Sequence, residues 1–128
     1  MNRPYDIKQR TFLFATEVVD FCKPVMPPGA VVRELARQLL RSGTSIGANL
    51  EEADAGQSKP DFRSKVAISR KEARESAYWL RLLVHTDARL KNAADPLLDE
   101  TRQLVQILTT IKLNSEQGDE KDAATEPG

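Results

Sequence analysis

Four carboxylates at helical spacing are the residues in this chain most able to do chemistry. They form two pairs, Glu51-x-x-Asp54 and Glu72-x-x-Glu75. Residues three apart share one face of a helix. Two such pairs on either side of a turn could therefore project four carboxylates between two helices. That donor set would bind a divalent cation for phosphate chemistry. The same residues support a second reading. Ser45, Asn49 and Glu52 form a polar row at helical spacing. With Glu72 and Glu75 that row would make an internal polar network holding two helices in register, a known use of a buried asparagine. Lys71 and Arg74, beside the second pair, offer the carboxylates simpler ion-pair partners. The network is therefore the leading reading and the metal site its alternative.

All-helical nucleotide pyrophosphohydrolases use Glu-x-x-Glu and Glu-x-x-Asp pairs to hold magnesium, but here the order of the pairs is reversed. A di-iron centre of the ferritin kind needs a Glu-x-x-His pair, and the residue three before His85 is Leu82. His85 is the single histidine, so any nucleophilic triad would have to be built around it. It lies between Arg81 and Arg89 and reads as a neutral surface residue. Cys22, the single cysteine, continues an apolar row and reads as core. No catalytic residue and no cofactor is expected, and the chain reads as non-enzymatic.

A second chemical feature is charge. Lys+Arg and Asp+Glu number 19 each, so the net charge is zero and overall charge predicts no polyanion binding. The distribution is uneven. Residues 59–91 hold nine Lys/Arg against four Asp/Glu, whereas residues 115–128 hold one Lys against five Asp/Glu. Lys59, Arg63, Lys65, Arg70, Arg74 and Arg81 are the candidate nucleic-acid contacts, with Lys71, Arg89 and Lys91 completing the basic set. The bland alternative is a solvated helix face. No aromatic residues interleave with these cations for base stacking.

Four helices must position these groups, near 6–24, 30–56, 59–92 and 95–114. In the first, with Asp6 as N-cap, Phe14, Val18, Phe21 and Val25 make a buried stripe. Phe12, Ala15, Val19 and Cys22 make a second stripe beside it, so this helix should be covered on more than one side. Pro27-Pro28-Gly29 ends it. The second helix contains Ser42 to Gly56, SGTSIGANLEEADAG, which is loop-like by propensity because each interior glycine costs a helix about 1 kcal/mol. Its spacing is nevertheless helical: Ile46, Leu50 and Ala53 extend the row of Leu35 and Leu39. The segment is therefore expected to be helix, its glycines admitting a close neighbour.

Ser58-Lys59-Pro60-Asp61 caps the third helix. That helix carries two seams, Phe62, Val66, Ser69, Ala73, Ser76, Leu80, Leu83 and Ile68, Glu72, Glu75, Trp79, Leu82. The small middle of the first seam should pack on the Gly43/Gly47/Ala48 surface. The second seam needs a partner outside the bundle, so Ile68, Trp79 and Leu82 are the candidate oligomer interface. Asn92-Ala93-Ala94 reads as a connection and Asp95-Pro96 as the next helix start. Leu97, Thr101, Leu104, Leu108 and Ile111 form its inner row, and from Asn114 the apolar pattern stops.

Two blocks carry a family resemblance. Arg41-Ser42-Gly43-Thr44-Ser45-Ile46-Gly47-Ala48-Asn49 with Glu51-Glu52-Ala53 is one. Phe62, Lys71-Glu72-Ala73-Arg74-Glu75-Ser76 and Tyr78-Trp79-Leu80-Arg81-Leu82-Leu83 make up the other. Together they resemble a bacterial four-helix-bundle family, which includes proteins encoded in intervening sequences of 23S rRNA genes and accessory proteins of diversity-generating retroelements. The likeness runs from about Tyr5 to Leu113. It implies an up-down bundle assembled as a homopentameric ring. In the retroelement branch it implies a basic surface that binds nucleic acid and a partner reverse transcriptase. The retroelement relatives are strongly basic, and this neutral chain departs from them.

The expectation is thus an all-α protein: an antiparallel up-down four-helix bundle over 1–114 and a disordered acidic tail over 115–128. It should be a homo-oligomer, a pentamer by resemblance, acting as a scaffold or adaptor. Its partners would be RNA or DNA, or a protein such as a reverse transcriptase. One cysteine, the lack of an apolar run near 20 residues and the lack of a signal-peptide segment suit a cytoplasmic protein.

Overall fold

The described part of the glycine-bearing segment, residues 42–54, is helix. In the computed structural model, which describes residues 4–25, 29–54 and 58–125, it lies within a helix running without a break from Ala30 to Asp54. Side chains are described for 7–25, 29–53 and 58–118. The helices are α1 Pro4–Val25, α2 Ala30–Asp54, α3 Lys59–Thr86 and α4 Lys91–Thr125, with a 3-10 turn at Ala88–Leu90. Each packs on two others in the cyclic order α1, α2, α3, α4, and among the described residues no two backbones approach closely across either diagonal. Cross-helix contacts give the direction of each pair. Cys22 reaches Ala36 on α2, Lys65 reaches Glu52, and Arg70 reaches Thr109 on α4. Neighbouring helices are therefore antiparallel, and the fold is an all-α, up-down four-helix bundle.

The expected inner rows are the core. Phe14, Val18, Leu39, Ile46, Val66, Ala73, Leu80, Leu83, Leu104 and Leu108 are fully buried. The close approaches fall differently from expectation. A Cβ built on Gly43 would lie 2.9 Å from Val18 Cγ2, and one on Gly47 would lie 3.2 Å from Thr11 Oγ1. The glycines therefore face α1, not α3, and Ala48 is exposed. The small residues of α3 instead meet the neighbouring α2 face. There the Ser42 and Ser76 hydroxyls bond at 2.9 Å, and Ser69 Oγ donates to the Ile46 carbonyl at 2.8 Å. Small residues thus thin α2 on two flanks rather than one.

The second stripe of α1 is not covered as expected. Cys22 is buried, but Phe12 is 69% exposed and Val19 36%. Phe12 and Val19 instead face outward. The α1–α4 side is fastened by Arg10, whose Nε and Nη2 donate to the two Glu100 oxygens at 3.0 and 2.7 Å.

Helix ends also shift. α1 starts at Pro4, so Asp6 lies inside the helix rather than capping it. Pro27 and Pro28 and the turn at Gly56-Gln57 lie outside the described residues. Ser58 caps α3 as expected, its Oγ accepting from Asp61 N at 3.3 Å. The α3–α4 break comes at Asp87 rather than at Asn92-Ala93-Ala94. The extended backbone of Asp87 stops α3, and its carboxylate accepts from Arg89 N, capping the 3-10 turn. Asp95 and Pro96 consequently fall inside α4. The row of large apolar residues does end at Leu113, but helical backbone continues to Thr125. Among the described residues no helix is long and apolar enough to cross a membrane.

Candidate functional site

Arg41 on α2 occupies the place where a cation would be needed. Its Nη1 lies 3.4 Å from Glu72 Oε2 and its Nη2 2.9 Å from Glu75 Oε1. The i,i+3 spacing does bring Glu72 and Glu75 to one face, but the arginine pairs with both, its one positive charge lying between two carboxylates. Glu51 turns the other way, to Lys8 on α1 at 3.5 Å. The side chain of Asp54 lies outside the described residues. The alternative metal set of Glu51, Asp54, Glu72 and Glu75 is therefore not assembled. Among the described residues no three His, Cys, Asp or Glu side chains converge as a metal site.

The expected polar network is only partly a network. Ser45 Oγ donates to the Arg41 carbonyl and Asn49 Nδ2 to the Ser45 carbonyl, both within α2. Glu52 crosses to Lys65 at 3.0 Å, and Glu72 and Glu75 cross to Arg41. The buried cross-links are the serine contacts described above. Ser42 was absent from the expected set, although it falls between Leu39 and Ile46 at 3-4 spacing. That position alone marks it as inward.

Of the basic residues, Lys65 pairs with Glu52, Arg89 with Asp87 and Lys91 with Asp95. Arg70 Nε donates to Thr109 Oγ1 at 2.7 Å. Lys59 and Arg63 are also engaged. Lys71, Arg74 and Arg81 are exposed and have no acidic partner among the described residues. Helical spacing puts these three on one outer face of α3 around Tyr78, which is 53% exposed. Glu75, the nearest carboxylate on that helix, is already held by Arg41.

Trp79 is half-buried and packs on the chain's own core. Its Nε1 and Glu72 Oε1 are buried without a hydrogen-bond partner among the described residues. Ile68 and Leu82 are half-buried as well. His85 is exposed. Burial pushes the Cys22 thiol up to about 11, so it is not a nucleophile at neutral pH. A cavity of about 370 Å³ is lined by Ile7, Leu50, Ala53, Phe62, Val66 and Ile111. Lys8, Asn114 and Ser115 supply its polar lining, and it contains no acid–base pair suited to catalysis.

Comparison with known proteins agrees with the bundle. A crystal structure of a protein of unknown function from the S23 ribosomal protein family of Bacteroides thetaiotaomicron superposes with a TM-score of 0.75 at 33% identity. The match covers 83% of this chain and 97% of that one. No curated protein matches the chain. The family model described as 23S rRNA-intervening sequence protein matches residues 3–110. With these two matches, the chain belongs to the 23S rRNA-intervening sequence protein family.

Proposed function

We propose that this protein is a non-enzymatic, cytoplasmic scaffold or adaptor that holds nucleic acid on the outer face of α3. The observation that carries this reading is the set Lys71, Arg74 and Arg81, exposed and without acidic partners among the described residues while the other α3 cations are engaged. Unpaired cations on one helix face can replace the counterions of a phosphate backbone, and that exchange drives non-specific binding. Three cations are few for one molecule. Assembly into a homo-oligomer, a pentameric ring by family resemblance, would repeat the patch and raise the avidity strongly. The half-buried Ile68 and Leu82 and the exposed Phe12, Leu13 and Val19 are among the apolar side chains open to such contacts.

The test is fluorescence anisotropy with labelled RNA and DNA at two salt concentrations. Binding should weaken with salt, and an Arg74→Ala/Arg81→Ala double variant should weaken it further and flatten the salt dependence. Binding without salt dependence, or no binding, refutes the reading. Light scattering gives the assembly state, and a monomer at micromolar concentration removes the ring.

A further inference from the structure

Tyr78 is placed to do more than fill a surface. Arg74 precedes it by four residues and Arg81 follows it by three. The two arginines are thus two helical turns apart, roughly 10 Å along the axis. The Tyr78 ring meets Trp79 edge-on, with centroids 5.2 Å apart at 73°. Trp79 is anchored on the core, so the tyrosine ring is steadied from beneath while 53% of the residue remains exposed. Beside it runs a shallow groove between α3 and α4, lined by Arg74, Tyr78, Arg81, Leu98, Arg102 and Gln106 among others. Arg102 pairs with Asp99 at 3.1 Å. The Gln106 side chain has no partner among the described residues, so its amide can both donate and accept.

We infer that this groove takes a single strand of RNA, one unpaired base stacking on Tyr78 while Arg74 and Arg81 hold phosphates on either side. The inference rests on the nucleic-acid reading above and narrows it. A duplex keeps the faces of its bases stacked against each other and has none to offer an aromatic side chain. A single strand offers both its phosphates and its base faces. The Gln106 amide matches the ribose 2′-hydroxyl, which also donates and accepts. The groove has half-buried apolar surface at Leu98 and Val105 but no deep pocket for a particular base. Recognition should therefore depend on strandedness more than on sequence.

The experiment compares an unstructured single-stranded RNA with DNA of the same sequence, an abasic strand of the same length, and an RNA duplex. Anisotropy is measured for the wild type, Tyr78→Ala, Tyr78→Phe and Arg74→Ala/Arg81→Ala. Circular dichroism checks that the variants remain folded. Tyr78→Ala should weaken single-stranded RNA binding roughly tenfold without changing the salt slope, the size expected for one lost base stack. Tyr78→Phe should bind like the wild type. The abasic strand and the duplex should be insensitive to Tyr78, and DNA should bind more weakly than RNA. Equal binding of DNA and RNA overturns the RNA assignment. If Tyr78→Ala binds single-stranded RNA like the wild type while the arginine variant loses binding, the stacking inference falls and the basic-face reading stands. If the wild type binds none of the four, both fall.

Discussion

Ser42 on α2 and Ser76 on α3 share a hydrogen bond, Oγ to Oγ at 2.9 Å, and both residues are fully buried. Ser76 Oγ also lies 2.9 Å from the Glu72 carbonyl, and Ser42 Oγ 3.3 Å from that of Leu39. Each hydroxyl therefore keeps a local acceptor when its partner is lost. Ser42→Ala or Ser76→Ala should cost about 1 kcal/mol, the net worth of one buried hydrogen bond. The double variant should cost less than the sum of the two singles. Urea unfolding of the four proteins in the cycle measures this, and strict additivity would mean that the bond carries no coupling.

Gly43 and Gly47 should differ. At Gly43 a methyl group would overlap Val18, a stiff and fully buried side chain. Overpacking costs about 1–3 kcal/mol, which outweighs the roughly 1 kcal/mol that alanine returns in helix propensity. Gly43→Ala should therefore destabilise, and Val18→Ala should cost less in that background than in the wild type. At Gly47 the nearest atom is Thr11 Oγ1 at 3.2 Å, and Gly47→Ala should be the milder change. Thermal unfolding of both variants settles the order.

Asp87 should titrate low. Its carboxylate accepts from the Arg89 guanidinium and from Arg89 N, which holds it below the usual aspartate range. A carboxyl depressed in the folded state contributes stability that is present above the unfolded value of about 3.9. That contribution is lost as pH falls through the lower folded value. An NMR titration should place the Asp87 midpoint below that of an ordinary aspartate, and Arg89→Ala should move it up.

Cys22 should be silent to thiol reagents. It is buried and its thiol is raised to about 11, so little thiolate exists near neutral pH. Ellman's reagent should react slowly with the native protein and promptly after denaturation. Fast native labelling would contradict the packing of α1 on α2.

Most of the bundle was legible because 3-4 spacing depends only on which residues are apolar. Phe14, Val18, Leu39, Ile46, Leu80 and Leu104 needed nothing further. Direction around the helix was harder. Gly43 and Ser42 are adjacent, so they face different neighbours, and spacing alone does not say which neighbour is which. The end of α3 was misplaced because Asp95-Pro96 is the stronger start signal by composition, yet the Asp87–Arg89 contact closes the helix earlier. The candidate site suffered from the same limit. Spacing puts Glu72 and Glu75 on one face, but their pairing with Arg41 depends on how α2 is rotated. Tyr78 stands out in the sequence only as part of the second resemblance block, because one exposed aromatic makes no pattern.

Gly43 and Gly47 against α1, and Ser42 and the Ile46 carbonyl against α3, lie within the same two turns of α2. Water reaching either flank would have to pry apart two tightly packed helix faces. Amide protons from Gly43 to Asn49 should therefore be among the last to exchange with deuterated solvent, although by composition this is the segment that promises least resistance.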